Sequence, residues 1–138
     1  MTDIRPIRGG EDEAVIALWT ASGLTRPWND PVADLNLAKD GATSTLLVAA
    51  DEAGISGTVM VGFDGHRGWV YYLAVVPDRR RSGLGRDLMT AAQDWLKKRG
   101  APKLQLMVRS DNEAALGFYH RLGLERQDVI VLGRRLDG

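Results

Sequence analysis

The sequence predicts an α/β fold: a mixed central sheet, antiparallel in its N-terminal part and parallel in the middle, with helices on both faces. Three observations point there. Residues 45–50, 55–63 and 69–76 are apolar runs separated only by short turn-rich segments, which makes an antiparallel meander. The third run is followed by a Gly-rich turn, an amphipathic stretch and an alternating segment at 103–108. A strand, helix and strand spaced this way pair in parallel through a right-handed crossover. Helical patterns before the meander and after Asn112 supply further covering layers.

The elements follow in order. Residues 4–8 alternate and read as a first strand, broken by Gly9-Gly10. A helix starts near Glu11, where Glu11, Asp12 and Glu13 place negative charge on its first turn. Val15, Leu18, Trp19 and Ser22 share one face, so Trp19 belongs to the core. After a turn-rich loop, Asp30 before Pro31 is an N-cap with proline at the first helical position, and a short helix runs over 31–39. Alternation in the 69–76 strand sets Trp69, Tyr71, Leu73 and Val75 on one face, with Val70, Tyr72 and Ala74 on the other. Leu84, Leu88, Ala91, Ala92, Trp95 and Leu96 form a helical stripe that Gly100 and Pro102 stop. Ser110 to Glu113 has the spacing of a capping box, and a helix follows to Gly123. Residues 124–136 then read as two short strands around Asp128.

Size and charge exclude several function classes. A chain of 138 residues fits one domain, residues 1–138, with a real core. Eighteen basic and 18 acidic residues cancel, so no global field draws the chain to nucleic acid or to a membrane. The absence of cysteine removes disulfides, thiolate metal sites and a covalent cysteine intermediate. The two histidines, His66 and His120, lie far apart in sequence, so no metal site is expected. No apolar run nears the ~18 residues of a membrane span, and the N-terminus lacks a basic-then-apolar leader, which points to a cytoplasmic protein.

The most informative stretch joins the 69–76 strand to the helix after it. An apolar run ends at Pro77; Arg79, Arg80 and Arg81 follow, then Ser82, Gly83, Leu84, Gly85 and Arg86. Glycines let a ligand approach the main chain, and a helix start presents unpaired N–H groups and a positive dipole end. Both suit a phosphate, and the arginines add mobile positive charge. The P-loop needs Lys and Ser/Thr after the second glycine, where Arg86-Asp87 stand. The dinucleotide fingerprint needs a third glycine where Leu88 stands.

The pattern Arg80-x-x-Gly83-x-Gly85 resembles the pyrophosphate-binding motif of the GNAT superfamily of acyl-CoA-dependent N-acetyltransferases. A second segment, Asn112-x-x-Ala115-x-x-Phe118-Tyr119-x-x-x-Gly123-Leu124, resembles that family's second motif. Arg26 to Pro31 and Gly65 to Gly68, with Tyr71-Tyr72, are similar to a YpeA-like subgroup of small bacterial acetyltransferases. The resemblance implies the GNAT fold along nearly the whole chain, and acetyl-CoA as co-substrate with no metal. It implies an acyl-pantetheine arm along Leu73, Ala74 and Val75, with the pyrophosphate on the amides of 81–85. Asn112 would hold the pantetheine and Tyr119 would lie by the thioester sulfur. The implied reaction is acetyl transfer to an amine by direct attack in a ternary complex.

The residues themselves leave the acceptor side open. The family's usual glutamate on the central strand is missing here; Tyr71, Tyr72, His66, Asp64 and Asp30 are candidate bases. His66 is also readable as a surface turn residue, and Tyr119 as an aromatic packed under the sheet. Trp28, Asn29, Asp30 and Tyr72 are candidates for the acceptor pocket, although Trp28 could fold onto the core and Asp30 could serve only as a cap. The acceptor could be a small amine, a peptide N-terminus or a protein lysine. Edge strands near the C-terminus leave a homodimer open. A non-catalytic acyl-CoA sensor or interaction module is the alternative function. A nucleic-acid binder using Arg79 to Arg81 with Trp69 and Tyr71 lacks a wider basic stripe.

Overall fold

The computed structural model describes residues 2–137. They form two compact units, 2–107 and 108–137. The first unit holds a five-stranded sheet in the order β1 to β5: β1 Asp3–Pro6, β2 Ser44–Asp51, β3 Gly54–Phe63, β4 Gly68–Val75 and β5 Leu104–Leu106. The first three pairings are antiparallel and β4–β5 is parallel, as the strand–helix–strand spacing requires. β5 is shorter than the alternation over 103–108 suggested.

The helices of this unit are α1 Asp12–Ala21, α2 Pro31–Lys39 and α3 Leu84–Lys98. α1 and α3 lie on opposite faces of the sheet, and two adjacent residues of β3 show it. The Thr58 hydroxyl meets the indole of Trp19 on α1, whereas a Cβ at Gly57 would stand 2.8 Å from Leu88 of α3. Successive strand residues point to opposite faces. Gly57 and Gly68 let α3 sit close: a Cβ at Gly68 would be 2.5 Å from Leu96. The other face buries Val15, Leu18, Trp19 and Leu35 against Leu46, Val48 and Ala74. Trp19 is fully buried, in keeping with its place in the α1 stripe.

β4 does not keep the regular alternation expected of it. Met60 opposes Tyr71 and Thr58 opposes Ala74, so β4 spends one more residue than β3 over the same span. This bulge is absorbed at Tyr72, whose φ is 52°, a left-handed conformation rare for an aromatic residue. The parity of the strand flips there. Val70 follows Gly68 on the α3 face, and Ala74 packs into the α1 core. Strict alternation would put both on one face, and it carries no signal for an extra residue.

In the second unit, α4 spans Glu113–Arg121. Asn112, not Ser110, is the N-cap: its Oδ1 accepts from Ala115 N at 3.1 Å. The two strands expected over 124–136 do not form. Val129, Ile130, Val131 and Leu132 are exposed and unpaired in any ladder among the described residues. Three of the four are β-branched, which favours extended backbone, but a strand exists only where a partner accepts its hydrogen bonds.

Candidate functional site

The turn between β4 and α3 begins with a single 3₁₀ turn, Pro77–Arg79. Arg81 (φ 65°) and Gly83 (φ 90°) both adopt left-handed backbone. Gly83 is the N-cap of α3 and supplies no side chain to cap it, so the first turn of a 15-residue helix presents its amides without a competing side-chain acceptor. Arg80, Arg81, Ser82, Gly83 and Arg86 are exposed around this end, and Gly85 is half-buried. Leu84 points into the core and offers only its backbone. The three arginines are not equivalent. Arg79 is tied to Asp51, whose side chain is only 4% exposed, and serves the fold. Arg80 turns back so that its Nε donates to the Val75 carbonyl at 3.2 Å. Ser82 Oγ donates to the Arg79 carbonyl and tightens the turn.

The β4–β5 pairing ends at Val70–Leu106, whereas β4 continues to Val75. The edge from Tyr71 to Val75 therefore lies beyond the last β5 partner. An extended ligand chain can pair with such an edge.

At the start of this opened section lies a cavity of 530 Å³. Leu24 and Asn29 from the α1–α2 loop, Asp34, Leu37 and Ala38 from α2, Ser44 from β2, Met60, Val61 and Gly62 from β3, and Tyr71 and Tyr72 from β4 line it. Asp34, Leu37 and Ala38 share a helix face by their spacing. Tyr72 is half-buried and held by three contacts. Its ring stacks on Trp19 with centroids 3.8 Å apart, and its carbonyl accepts from Thr58 Oγ1 at 2.9 Å. Its hydroxyl donates to Asp34 Oδ2 at 2.6 Å. Burial, and then the bond to Asp34, push the Tyr72 pKa well above the usual phenol value. Burial also raises Tyr71, with Asp64 adding to it.

The sequence candidates separate on this geometry. Asn29 and Tyr72 line the cavity. Trp28 is 56% exposed and outside the lining. Asp30 caps α2, accepting from Val32 N at 3.0 Å and Ala33 N at 3.3 Å. His66 is exposed in the β3–β4 turn, and Asp64 beside it accepts from the amides of His66 and Arg67 and from the Trp69 indole. Neither reaches the cavity lining. Asp34 is the residue sequence reasoning missed. Its one signal was a carboxylate three and four positions before Leu37 and Ala38, on the face next to the buried Leu35.

In the second unit Tyr119 is half-buried and packs edge-on against Phe118, ring centroids 5.0 Å apart. Burial pushes its hydroxyl up to about 12. Asn112 is exposed, with its Oδ1 engaged by the helix cap. Among the described residues no helix is long and apolar enough to cross a membrane, and no group of histidine or acidic side chains could hold a metal ion.

The model of the acetyltransferase (GNAT) family matches residues 13–124. The acetyltransferase YE1169 of Yersinia enterocolitica is 45% identical over 134 residues, covering 97% of this chain and 95% of that protein. Among solved structures the chain is similar to AAC(6')-Iy in complex with the bisubstrate analog CoA-S-monomethyl-acetylneamine, with a TM-score of 0.83 over 98% of each chain and 17% identity. It is also similar to a tetramutant of the BH1408 protein from Bacillus halodurans, with a TM-score of 0.75, 26% identity, and 97% of this chain and 99% of that one covered. The phosphate-suited turn, the opened strand edge and these matches agree: the chain belongs to the GNAT family of acetyltransferases.

Proposed function

We propose that the protein transfers an acetyl group from acetyl-CoA to an amine by direct attack in a ternary complex. One observation carries this reading. A single stretch of chain runs from the cavity at Tyr71 and Tyr72, along the opened edge of Leu73, Ala74 and Val75, into the turn at Arg80 to Gly85. Acceptor, pantetheine arm and diphosphate thus have successive places along one strand and its turn.

The turn fits the diphosphate. Its amides at 81–85 belong to left-handed and helix-start backbone, and the guanidinium groups of Arg80, Arg81 and Arg86 stand exposed beside them. By the family pattern Asn112 holds the pantetheine, through the part of its side chain that does not cap α4, and Tyr119 serves the sulfur. Acetyl-CoA supplies the electrophile, a thioester carbonyl. The free edge of β4 near Val75 supplies an amide to polarise it.

Tyr119 acts here by hydrogen bonding. A phenol at about 12 stays protonated at every working pH. Full transfer of its proton to a thiolate of ordinary pKa ~8.5 is uphill by about 5 kcal/mol, whereas donation of a hydrogen bond is not. Tyr72 also keeps its proton at neutral pH and so orients rather than deprotonates. The pocket lining therefore offers no phenolate base, and turnover climbs with pH as the acceptor amine itself loses its proton.

The test is thiol release from acetyl-CoA with a panel of small amines, free peptide N-termini and lysine peptides. Amine-dependent release is expected. Coenzyme binding without release for any acceptor would instead support the non-catalytic acyl-CoA-binding module.

A further inference from the structure

We infer that the cavity takes the acceptor as an organic ammonium ion with an apolar body, and that Asp34 is the residue that receives the cation. This rests on the reading of the cavity as the acceptor site. Asp34 is the one charged side chain among the described residues that line it; the other walls include Leu24, Leu37, Met60 and Val61. A carboxylate in a mainly apolar cavity attracts a cation and leaves a neutral molecule of the same shape without compensation for desolvating it. Its Oδ2 accepts from the Tyr72 hydroxyl at 2.6 Å, and a carboxylate has a second oxygen with which to meet an incoming donor.

A second, independent feature points the same way. Tyr72 sits at φ 52°, a conformation that costs a non-glycine residue on the order of 1–3 kcal/mol, and strain of this kind persists where the surroundings over-determine it. Three contacts do so: the Trp19 stack, the Thr58 hydrogen bond and the Asp34 hydrogen bond. Their joint effect is a phenol kept neutral and turned onto the carboxylate. A neutral partner fixes the direction of Asp34 without cancelling its charge. A lysine or arginine in that place would have neutralised it.

The cavity size sets the class. A volume of about 530 Å³, open to solvent, has room for a small molecule or for a single side chain. The compounds it fits carry one ammonium group on an aromatic or branched aliphatic body. The bound ammonium gives up one proton to bulk water before its nitrogen attacks, and the second proton lost as the amide forms balances the one the coenzyme A thiolate takes up.

The experiment uses the full chain without coenzyme, so it does not depend on catalysis. Methionine methyl groups are labelled and titrated by NMR with benzylamine, and separately with benzyl alcohol, the neutral compound of nearly the same shape. Met60 lines the cavity, while Met89 is a buried residue of α3 and Met107 is exposed, neither of them in the lining. The expected result is a shift of the Met60 methyl, with affinity for benzylamine at least tenfold above that for benzyl alcohol. In Asp34→Asn, which keeps an oxygen for Tyr72, the two affinities converge to within about twofold. Equal affinities in the unaltered chain, no Met60 shift with benzylamine, or a cation preference that survives Asp34→Asn each overturn the inference. The comparison of the two ligands on the unaltered chain stands even if the variant fails to fold. Cation binding together with no thiol release for any acceptor of the amine and peptide panel would refute the catalytic reading while leaving this one intact.

Discussion

The Thr58 hydroxyl is a small group on which the geometry of Tyr72 depends, and Thr58→Val removes it at nearly constant volume. Thr58 is fully buried. Its oxygen accepts from Trp19 Nε1 at 3.0 Å and its proton goes to the Tyr72 carbonyl at 2.9 Å. Valine fills the space but satisfies neither. The buried Trp19 donor left unpaired costs about 1–3 kcal/mol, and the part-buried Tyr72 carbonyl adds up to about as much. Relaxation of the left-handed Tyr72 backbone returns part of this, so a net loss of about 2–4 kcal/mol is expected. Urea unfolding followed by Trp fluorescence reads it directly. With a slope of about 2 kcal/mol/M, the midpoint falls by about 1–2 M at unchanged slope. Thr58→Ser keeps both bonds and loses one methyl group, so it retains all but about 1 kcal/mol. If Thr58→Val matches the parent midpoint, or Thr58→Ser is as damaging as valine, the hydrogen-bonded support of Tyr72 is not what holds it.

Two further predictions follow from single side chains. Glu11 accepts from both terminal nitrogens of Arg5, at 2.9 and 2.8 Å, and from the Arg8 amide at 2.7 Å; led by the Arg5 bond, its pKa falls from 4.5 to about 2. A depressed carboxyl pKa stabilises the fold above the unfolded value, and the contribution disappears as pH falls from 4.5 toward 2. After allowance for solvent screening of this partly exposed pair it amounts to about 1–2 kcal/mol, and acid titration of Glu11→Gln should show that step missing. Tyr119→Phe should lower turnover about tenfold to a hundredfold, for one lost hydrogen bond to developing charge. The deficit should be uniform from pH 6 to 10, as the phenol at about 12 does not titrate there. Turnover equal to the parent's would remove Tyr119 from the reaction.

Much of the fold was legible because its signals are local. The meander, the α1 stripe with Trp19 and the stop of α3 at Gly100 rest on periodicity and turn chemistry within a few residues. The Asp30-Pro31 start of α2 was readable for the same reason, and the structure shows that cap in place. What escaped depends on contacts between segments far apart. The bulge at Tyr72 arises from pairing with β3 and has no glycine to announce it. Asp34 became visible only when Tyr72 was set beside it, 38 residues away. Residues 129–132 have the composition of a strand but lack a ladder partner, so propensity alone misread them. On the candidate site, the motif identified the turn, whereas a division of labour among Arg79, Arg80 and Arg81 required knowing that Asp51 lies against the first of them.

The most direct measurement is calorimetric titration of coenzyme A into the parent chain and into Arg80→Glu combined with Gly83→Val, with far-UV circular dichroism confirming that both are folded. Gly83 holds φ 90°, which a β-branched residue adopts only under strain, and Arg80 stands exposed at the same helix end. The account predicts clear binding heat for the parent and an affinity weaker by about a hundredfold or more in the folded variant, the loss expected when a charge-assisted contact and the aligned amides go together. Absence of heat with the parent, or equal affinity in the two proteins, would contradict it.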